Sequence, residues 1–227
     1  MSEAFPYPAI DPTKNQILLF VGRKGSGKSA AAREHFRGWP GADRLVIDVN
    51  GDADPGEDLG AVDLRGPLTE LPPRRDPRVP EVYRWIADPS ADSFAEDIDK
   101  AIGAALFPRD RKVVMWVDEA GEAFPLHRLG PNARTLLHQS RHFNASAILC
   151  CPRPIGIDTL CLAQADRVTM FDVPSPHDRK RVADAIGINP ARLDEVLRET
   201  RRRGAHWSTM YEAHEHQLYR LPPFELT

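Results

Sequence analysis

Gln16-Ile-Leu-Leu-Phe-Val-Gly-Arg-Lys-Gly-Ser-Gly-Lys-Ser29 is the stretch that decides the fold. Its first part is an apolar run typical of a buried strand. Its second part matches the phosphate-binding pattern G-x-x-x-x-G-K-[ST]. A helical segment follows at 30–36. Because strand, glycine-rich loop and helix come in this order, the stretch predicts a phosphate site and not merely a flexible turn.

Each residue type in the loop has a chemical reason. Glycine lets the backbone bend tightly and come close to an anion, and the backbone amides then converge on phosphate oxygens at the helix N-terminus. Lys28 is expected to place its charge on the β- and γ-phosphates, and the Ser29 hydroxyl is expected to bind Mg²⁺. The residues predicted to bind the nucleotide are Gly22, Arg23, Lys24, Gly25, Ser26, Gly27, Lys28, Ser29 and Ala30.

A second apolar strand, Lys112–Val117, delivers two acids, Asp118 and Glu119, at its carboxyl end. An acid pair at a strand end is common on its own, but downstream of a phosphate loop it predicts the second half of an ATPase site, the Walker B element. Asp118 is expected to hold Mg²⁺ opposite Ser29. Glu119 is expected to orient and deprotonate the attacking water.

Length and composition bound the class of protein. The 227 residues fit one α/β domain, predicted over 16–227, after an irregular lead-in at 1–15 that carries Pro6, Pro8 and Pro12. The net charge of −3 excludes a molecule that binds DNA electrostatically over its whole surface, so any nucleic-acid surface must be local.

The three cysteines and the hydropathy pattern concern the compartment. Cys150, Cys151 and Cys161 lack metal-binding spacing and suit a reducing cytosol. No apolar run approaches the ~18 residues that span a membrane, and no signal peptide opens the sequence. We therefore expect a cytoplasmic protein, and any link to a membrane would be through a partner.

Hydrophobic periodicity and the proline and glycine residues that end helices and strands predict the remaining secondary structure. They predict an α/β fold of three layers with a mostly parallel central sheet and a C-terminal β-hairpin. A Pro-rich loop is expected at 53–80, and C-terminal helices and the hairpin at 174–227. Further strands are predicted at 44–49, 81–87, 145–151 and 166–172, helices at 94–106, 132–143, 157–163, 175–186 and 190–203, and the hairpin strands at 206–211 and 216–221.

Several polar groups have two interpretations. Solvent exposure is favoured over ligand binding for Asp48 and Asp52, for Arg74, Arg75 and Arg78, and for His214 and His216. The densest basic cluster consists of Arg198, Arg201, Arg202 and Arg203. Its charges either complement a helix C-terminus or contact DNA, and the sequence leaves both roles open.

The segment from Leu137 to Val173 narrows the class of ATPase. Ser140-Arg141-His142, a strand, Pro152-Arg153-Pro154, a short helix and a further strand resemble the HerA/FtsK superfamily, which includes DNA-pumping motors, phage genome-packaging ATPases and zonula-occludens-toxin-like assembly ATPases. The resemblance covers roughly 16–173 and is weakest at 51–110.

This resemblance implies a RecA-like P-loop NTPase with an additional strand and a catalytic glutamate. It implies ATP and Mg²⁺ as ligands, with Lys28 and Glu119 as catalytic residues. Arg141 matches the arginine that such proteins present to the nucleotide of a neighbouring subunit. A homo-oligomer, in the family a hexameric ring, that translocates or packages DNA is therefore expected, with phage or assembly proteins as further partners and a virion-associated location if the chain is of phage origin.

One position departs from the family pattern. Family members usually carry a polar residue, typically Gln, before the Arg-Pro, where it senses the γ-phosphate. Pro152 has neither a side-chain hydrogen bond nor an amide donor. Either the neighbouring Arg153 takes this role, or the sensor lies elsewhere, or coupling between hydrolysis and motion is weak.

Two other functions remain open at this stage. A small-molecule kinase shares the phosphate loop but needs a substrate pocket and an arginine-rich lid. An ATP-binding switch acting on protein partners or at an export complex fits the acidic net charge. An ABC-type transporter subunit fits less well, because the sequence has no Leu-Ser-Gly-Gly-Gln signature.

Overall fold

The computed structural model describes residues 9–11, 13–108 and 110–224. Its strands are β1 Ile17–Val21, β2 Asp43–Asp48, β3 Val62–Leu64, β4 Val82–Ile86, β5 Val113–Val117, β6 Ala145–Cys151, β7 Arg167–Met170, β8 Ser208–Glu212 and β9 Gln217–Leu221. Its α-helices are α1 Lys28–Arg37, α2 Phe94–Leu106, α3 Ala120–Ala123, α4 Pro131–Gln139, α5 Thr159–Gln164, α6 Pro176–Ile186 and α7 Pro190–Arg202.

Within the described residues the strands form one sheet in the order β3-β4-β2-β5-β6-β1-β7-β8-β9. Strands β1 to β7 pair in parallel, and β8 and β9 extend one edge as an antiparallel hairpin. The predicted α/β fold, with its mostly parallel sheet and C-terminal hairpin, is confirmed. The acid-bearing β5 is separated from the loop-bearing β1 by β6.

Both faces of the sheet are covered, which explains the continuous apolar strands. In β1, Ile17, Leu19 and Val21 pack on the face covered by α2 and α4 to α7, whereas Leu18 and Phe20 pack on the face covered by α1. The result is a three-layer structure with a core on each side of the sheet. In the part of the chain that the structure covers, no helix combines the length and the hydrophobicity that crossing a membrane requires.

The sequence prediction differs from the structure in several local details. The predicted loop at 53–80 contains a 3-10 helix, Glu57–Leu59, and β3, which pairs with β4 at the sheet edge. Three residues are too few for alternation to reveal a strand. The α-helix predicted at 132–143 ends at Gln139, and a 3-10 turn, Ser140–His142, follows it. The prolines of the predicted lead-in lie outside the described residues.

Arg74 is not the solvated loop residue that the sequence predicts, whereas Arg75 is exposed, as predicted. The carboxylate of Asp43 is fully buried and accepts hydrogen bonds from Arg74 Nε at 2.9 Å and from Arg111 Nη1 at 3.1 Å. Arg75 donates from Nε to Glu81 at 2.9 Å. These pairs hold the Pro-rich segment against the sheet, so its arginines have structural partners.

Candidate active site

The glycine-rich loop is anchored to both strands that flank β1. The Gly22 amide donates to the carbonyl of Cys151 at the end of β6 at 3.2 Å, and the Arg23 amide donates to the carbonyl of Asp172 after β7 at 3.0 Å. Inside the loop the Ser26 amide donates to the Arg23 carbonyl at 3.2 Å. The loop is therefore a fixed turn at the carboxyl edge of the sheet, where ligands of open α/β sheets bind.

Two of the loop positions require glycine for different reasons. Gly27 precedes α1 with φ of 100°, in the left-handed region that side chains disfavour. A Cβ atom on Gly22 would lie 2.7 Å from Ser26 Oγ and 2.9 Å from Phe171 Cβ. The backbone thus comes close to its neighbours as well as bending tightly.

A cavity of about 400 Å³ joins the two predicted halves of the site. The loop side of the cavity is lined by Lys24, Gly25, Lys28, Ser29 and Ala30, and the β5 side by Asp118 and Glu119. The structure therefore brings the predicted phosphate-binding and acidic residues to one place. Arg23 and Ser26 face a different cavity, on the β7 side of the loop.

Asp118 lies in an electrostatically unfavourable position. Its side chain is buried, and no group among the described residues donates a hydrogen bond to its Oδ1 atom. Burial raises the pKa of Asp118 from 3.8 to about 6; Lys28 opposes the shift, while the charges of Glu119 and Asp52 add to it. A cation in the cavity would stabilise this unpartnered, buried carboxylate oxygen.

Mg²⁺ fits this donor set. Carboxylate and hydroxyl oxygens are its preferred ligands, and it usually keeps several waters, for which the cavity has room. Asp118 and Ser29 are the residues that would hold it, as the sequence predicts. The residues present are thus compatible with the ion, and the unpartnered Oδ1 atom is the observation that supports it.

Glu119 has an unusual backbone conformation. Its φ and ψ are both 55°, the left-handed region, and it immediately precedes α3. Non-glycine residues in this region are uncommon and concentrate at functional sites. The conformation places the partly exposed side chain on the wall of the cavity.

The two aspartates after β2 have separate roles. The sequence favours solvation for Asp48, and this is wrong: its carboxylate is fully buried and accepts from Arg84 Nη2 at 2.6 Å and from the Gly51 amide at 2.8 Å. These contacts shape the turn that brings Asp52 to the cavity. Asp52 adds negative charge near Asp118, which strengthens the need for a cation.

Arg141 is far from the site of its own chain. Its backbone lies in the 3-10 turn before β6, at the amino end of the parallel strands, whereas the loop follows the carboxyl end of β1. Strand β1 has five residues, which separates the two ends by roughly 17 Å. The Arg141 side chain lies outside the described part of the structure. Its backbone position leaves contact with the nucleotide of another subunit as the role to test.

Asn15 was not singled out by the sequence. Its side-chain amide donates to the carbonyl of Ser140 at 2.9 Å and to that of Phe143 at 2.8 Å. These bonds tie the segment before β1 to both ends of the turn that carries Arg141. No local pattern could reveal this contact, since the bonded residues lie 125 and 128 positions apart.

Pro152 and Arg153 lie where the family pattern places its sensor. Pro152 lines the cavity shared by Lys28 and Asp118. Arg153 Nε is 3.7 Å from a carboxylate oxygen of the buried Asp178, which also accepts from the Ile155 amide at 3.0 Å. The Arg153 side chain is 69% exposed, so it has space to change partner.

The other basic and histidine groups are partly used inside the chain. Arg201 pairs with Asp172 at 3.0 Å, and the Arg203 guanidinium lies 5.2 Å from the centre of the Trp207 ring. His214 Nε2 is 3.4 Å from Asp166. His216 Nδ1 is 2.9 Å from the hydroxyl of Tyr211. The two histidines therefore have different partners.

We expect Asp118→Asn to stabilise the chain measured without nucleotide or metal. Because the pKa of Asp118 in the folded chain, about 6, exceeds its ordinary 3.8, folding favours the protonated form. The contribution of this group to stability is therefore complete below pH 3.8 and is lost as pH rises through about 6. At pH 7.5 the variant should gain about 1–3 kcal/mol in free energy of unfolding by urea titration, with a smaller gain at pH 4.5. Asp92→Asn, at an exposed position, is the control and should leave the stability unchanged. Equal stability of wild type and Asp118→Asn at pH 7.5 would contradict the destabilising effect of the buried Asp118 charge.

Comparison with solved structures supports the fold. The genome packaging NTPase B204 from Sulfolobus turreted icosahedral virus 2, in complexes with AMP and with ATP-γS, aligns at a TM-score of 0.68 and 19% identity, over 95% of this chain and 100% of that chain. VirB4 of Thermoanaerobacter pseudethanolicus aligns at a TM-score of 0.66 and 11% identity, over 96% of this chain and 92% of that chain. Neither models of protein families nor curated protein sequences gave a match.

These similarities extend over nearly the whole chain. Because the sequence identity is low, they establish only the fold. The chain therefore shares its fold with the B204 packaging NTPase and with VirB4, and the resemblance predicted from its sequence is confirmed at the level of the fold.

Proposed function

We propose that this chain is the Mg²⁺-dependent ATP hydrolase of a homo-oligomeric motor that translocates or packages DNA. The observation that carries the proposal is the single cavity in which Lys28 and Ser29 from the phosphate loop meet Asp118 and Glu119 from β5. The similarity in fold to a genome packaging NTPase solved with nucleotides supports the DNA-packaging role.

The side chains around the cavity divide the work of hydrolysis. Backbone amides of the loop and the Lys28 ammonium bind the phosphates and stabilise the negative charge that develops on them. Glu119 orients a water and takes its proton as the water oxygen attacks the γ-phosphorus and the bond to the ADP oxygen breaks. Ser29 and Asp118 would hold the metal ion, which would supply positive charge next to the phosphates.

An acid pair at this position favours water as the phosphoryl acceptor over the hydroxyl of a small molecule. Glu119 needs space for a water between itself and the γ-phosphate, and the cavity of about 400 Å³ supplies it. The small-molecule kinase thus has less support than the hydrolase.

The location of the Arg141 backbone supports the homo-oligomer in this proposal. This backbone lies at the amino end of the sheet and the nucleotide site at the carboxyl end, so the proposed contact requires a second copy of the chain. Head-to-tail copies that close by rotation form a ring, as expected for a translocating motor.

A nucleotide-dependent switch that acts on protein partners is the second candidate. The net charge of −3 favours it, because a DNA motor needs at least a local basic surface. Part of the basic cluster at the end of α7 is already paired within the chain, through Arg201 and Arg203. DNA dependence therefore separates the two candidates.

For a DNA motor, we expect double-stranded DNA to increase the steady-state rate of ATP hydrolysis at least about threefold at low salt. The increase should shrink as salt rises, because binding to phosphates releases counterions. Phosphate release is measured with double-stranded, single-stranded and no DNA, alongside particle mass with and without ATP. A hydrolysis rate that does not change with DNA, together with no DNA binding at low salt, would favour the switch.

Glu119→Gln is expected to keep ATP binding within about threefold and to lower the hydrolysis rate at least ~100-fold, as for loss of a general base. Glu122→Gln is the matched control, since Glu122 is an exposed acid in the adjoining α3. Calorimetry measures binding and phosphate release measures turnover. Unchanged turnover in Glu119→Gln rules out this residue as the base.

Mixing two inactive variants tests the role of Arg141. Arg141→Ala subunits keep an intact loop, and Lys28→Ala subunits keep the arginine. If Arg141 acts across an interface, a mixed assembly contains some complete sites and should recover a measurable fraction of wild-type hydrolysis. Assemblies verified as mixed by mass measurement, yet without recovered activity, contradict the role in a neighbouring site.

A further inference from the structure

A second cavity lies on the other side of the phosphate loop from Asp118 and Glu119. The sheet order places β6 and β5 on one side of β1, and β7 and β8 on the other. The catalytic acids follow β5, whereas the second cavity, of about 350 Å³, lies between the loop, the end of β7 and the segment that joins α7 to β8. We name it the β7-side cavity.

The β7-side cavity is continuous with the proposed phosphate site. Lys24 and Gly25 at the tip of the loop line both cavities. A triphosphate bound by the loop with its terminal phosphate towards Asp118 would direct its other end away from β5, to the side of β1 on which β7 lies. The volume of the cavity falls within the range of small-molecule pockets.

Aromatic side chains line the β7-side cavity. Phe171 follows β7 and is buried, with its ring stacked on Phe20 at a centroid distance of 6.5 Å. Trp207 precedes β8 and is partly exposed, in contrast to the other tryptophans of the chain, which are buried; these are Trp39, Trp85 and Trp116. The Arg203 guanidinium lies over the Trp207 ring, 5.2 Å from its centre. The other face of this partly exposed indole, beside the phosphate loop, offers a flat surface on which a base can stack.

The segment before β8 is held against the loop by specific contacts. His206 Nδ1 lies 3.2 Å from the carbonyl oxygen of Ser26, and a Cβ atom on Gly27 would lie 3.2 Å from the same nitrogen. His206 itself has φ of 62°, an unfavourable conformation for a side-chain-bearing residue. The contacts keep this strained segment, and with it Trp207, beside the loop.

The charged groups of the β7-side cavity are predominantly basic. Asp172 pairs with Arg23 at 2.5 Å and with Arg201 at 3.0 Å, so one carboxylate faces two guanidinium groups. Lys24 adds a further positive charge at the tip of the loop. An aromatic surface with a basic rim suits a base and ribose joined to phosphates, and does not suit an apolar ligand.

We propose that the β7-side cavity binds the nucleoside part of the nucleotide, with Trp207 as the stacking surface for its base. The inference rests on the proposed function, since it assumes that the loop holds the phosphates. It adds to that function the part of the ligand that distinguishes a nucleotide from a bare polyphosphate.

The test compares ATP with inorganic tripolyphosphate, both with Mg²⁺, by calorimetry. Wild type should bind ATP more tightly than tripolyphosphate. Trp207→Ala should weaken ATP binding about tenfold, as expected for loss of base stacking, and leave tripolyphosphate binding within about twofold. Trp207→Phe keeps an aromatic ring and should retain most of the affinity for ATP. Phe107→Ala, at an exposed aromatic residue outside the cavity, should bind both probes as wild type does.

A fluorescence measurement on the wild-type chain supports the test if Trp207→Ala folds poorly. ATP should change the tryptophan emission of wild type, tripolyphosphate should change it much less, and the difference should disappear in Trp207→Phe. Unchanged ATP affinity in Trp207→Ala, or equal loss for both probes, overturns the stacking role. A wild type that binds tripolyphosphate as tightly as ATP overturns the nucleoside site alone, whereas a wild type that binds neither probe overturns the proposed function as well.

Discussion

The parallel pairing of β5, β6 and β1 is the constraint on which the rest of the site depends. Val21 at the end of β1 pairs with Cys151 of β6, and Val117 at the end of β5 pairs with Leu149 of the same strand. The chain therefore leaves β1 and β5 at one edge of the sheet, with a single strand between them. Neighbouring strands are about 4.8 Å apart, so a loop that binds phosphates and an acid that binds a metal come within reach of one ligand.

Packing of the fold holds the residues of this site in place, although their charges are not balanced. Asp118 is buried beside Glu119 and Asp52, and the Lys28 ammonium only partly offsets their repulsion. Glu119 and His206 both have backbone conformations that cost free energy, one on each side of the loop. Such strain persists where the surrounding fold over-determines it, and it concentrates where ligands bind. A metal ion and a nucleotide would supply the contacts that the free chain lacks.

The C-terminal part of the chain contributes to the same site. Asp172 joins Arg23 of the loop to Arg201 of α7, and His206 contacts the backbone of Ser26. Asp172 lies at the end of the segment whose sequence resembles the HerA/FtsK superfamily, and Arg201 and His206 lie beyond it. The C-terminal helices and hairpin therefore do more than close the sheet, because they complete the surroundings of the phosphate loop.

The sequence by itself determined the features that contiguous residues encode. The strand–loop–helix unit around Lys28 and the acid pair after β5 have local chemistry and periodicity that identify them. So do the C-terminal helices, whose prolines, helix caps and Gly187 mark their ends. Only the tertiary structure decided that Asp48 is buried and that Arg141 is far from the phosphate loop of its own chain. It also decided that Asn15 bonds to the turn that carries Arg141 and that Trp207 lies beside the phosphate loop. Asn15 is bonded to Ser140 across 125 positions and His206 to Ser26 across 180, and contacts between residues so far apart leave no local pattern because they depend on which strands become neighbours.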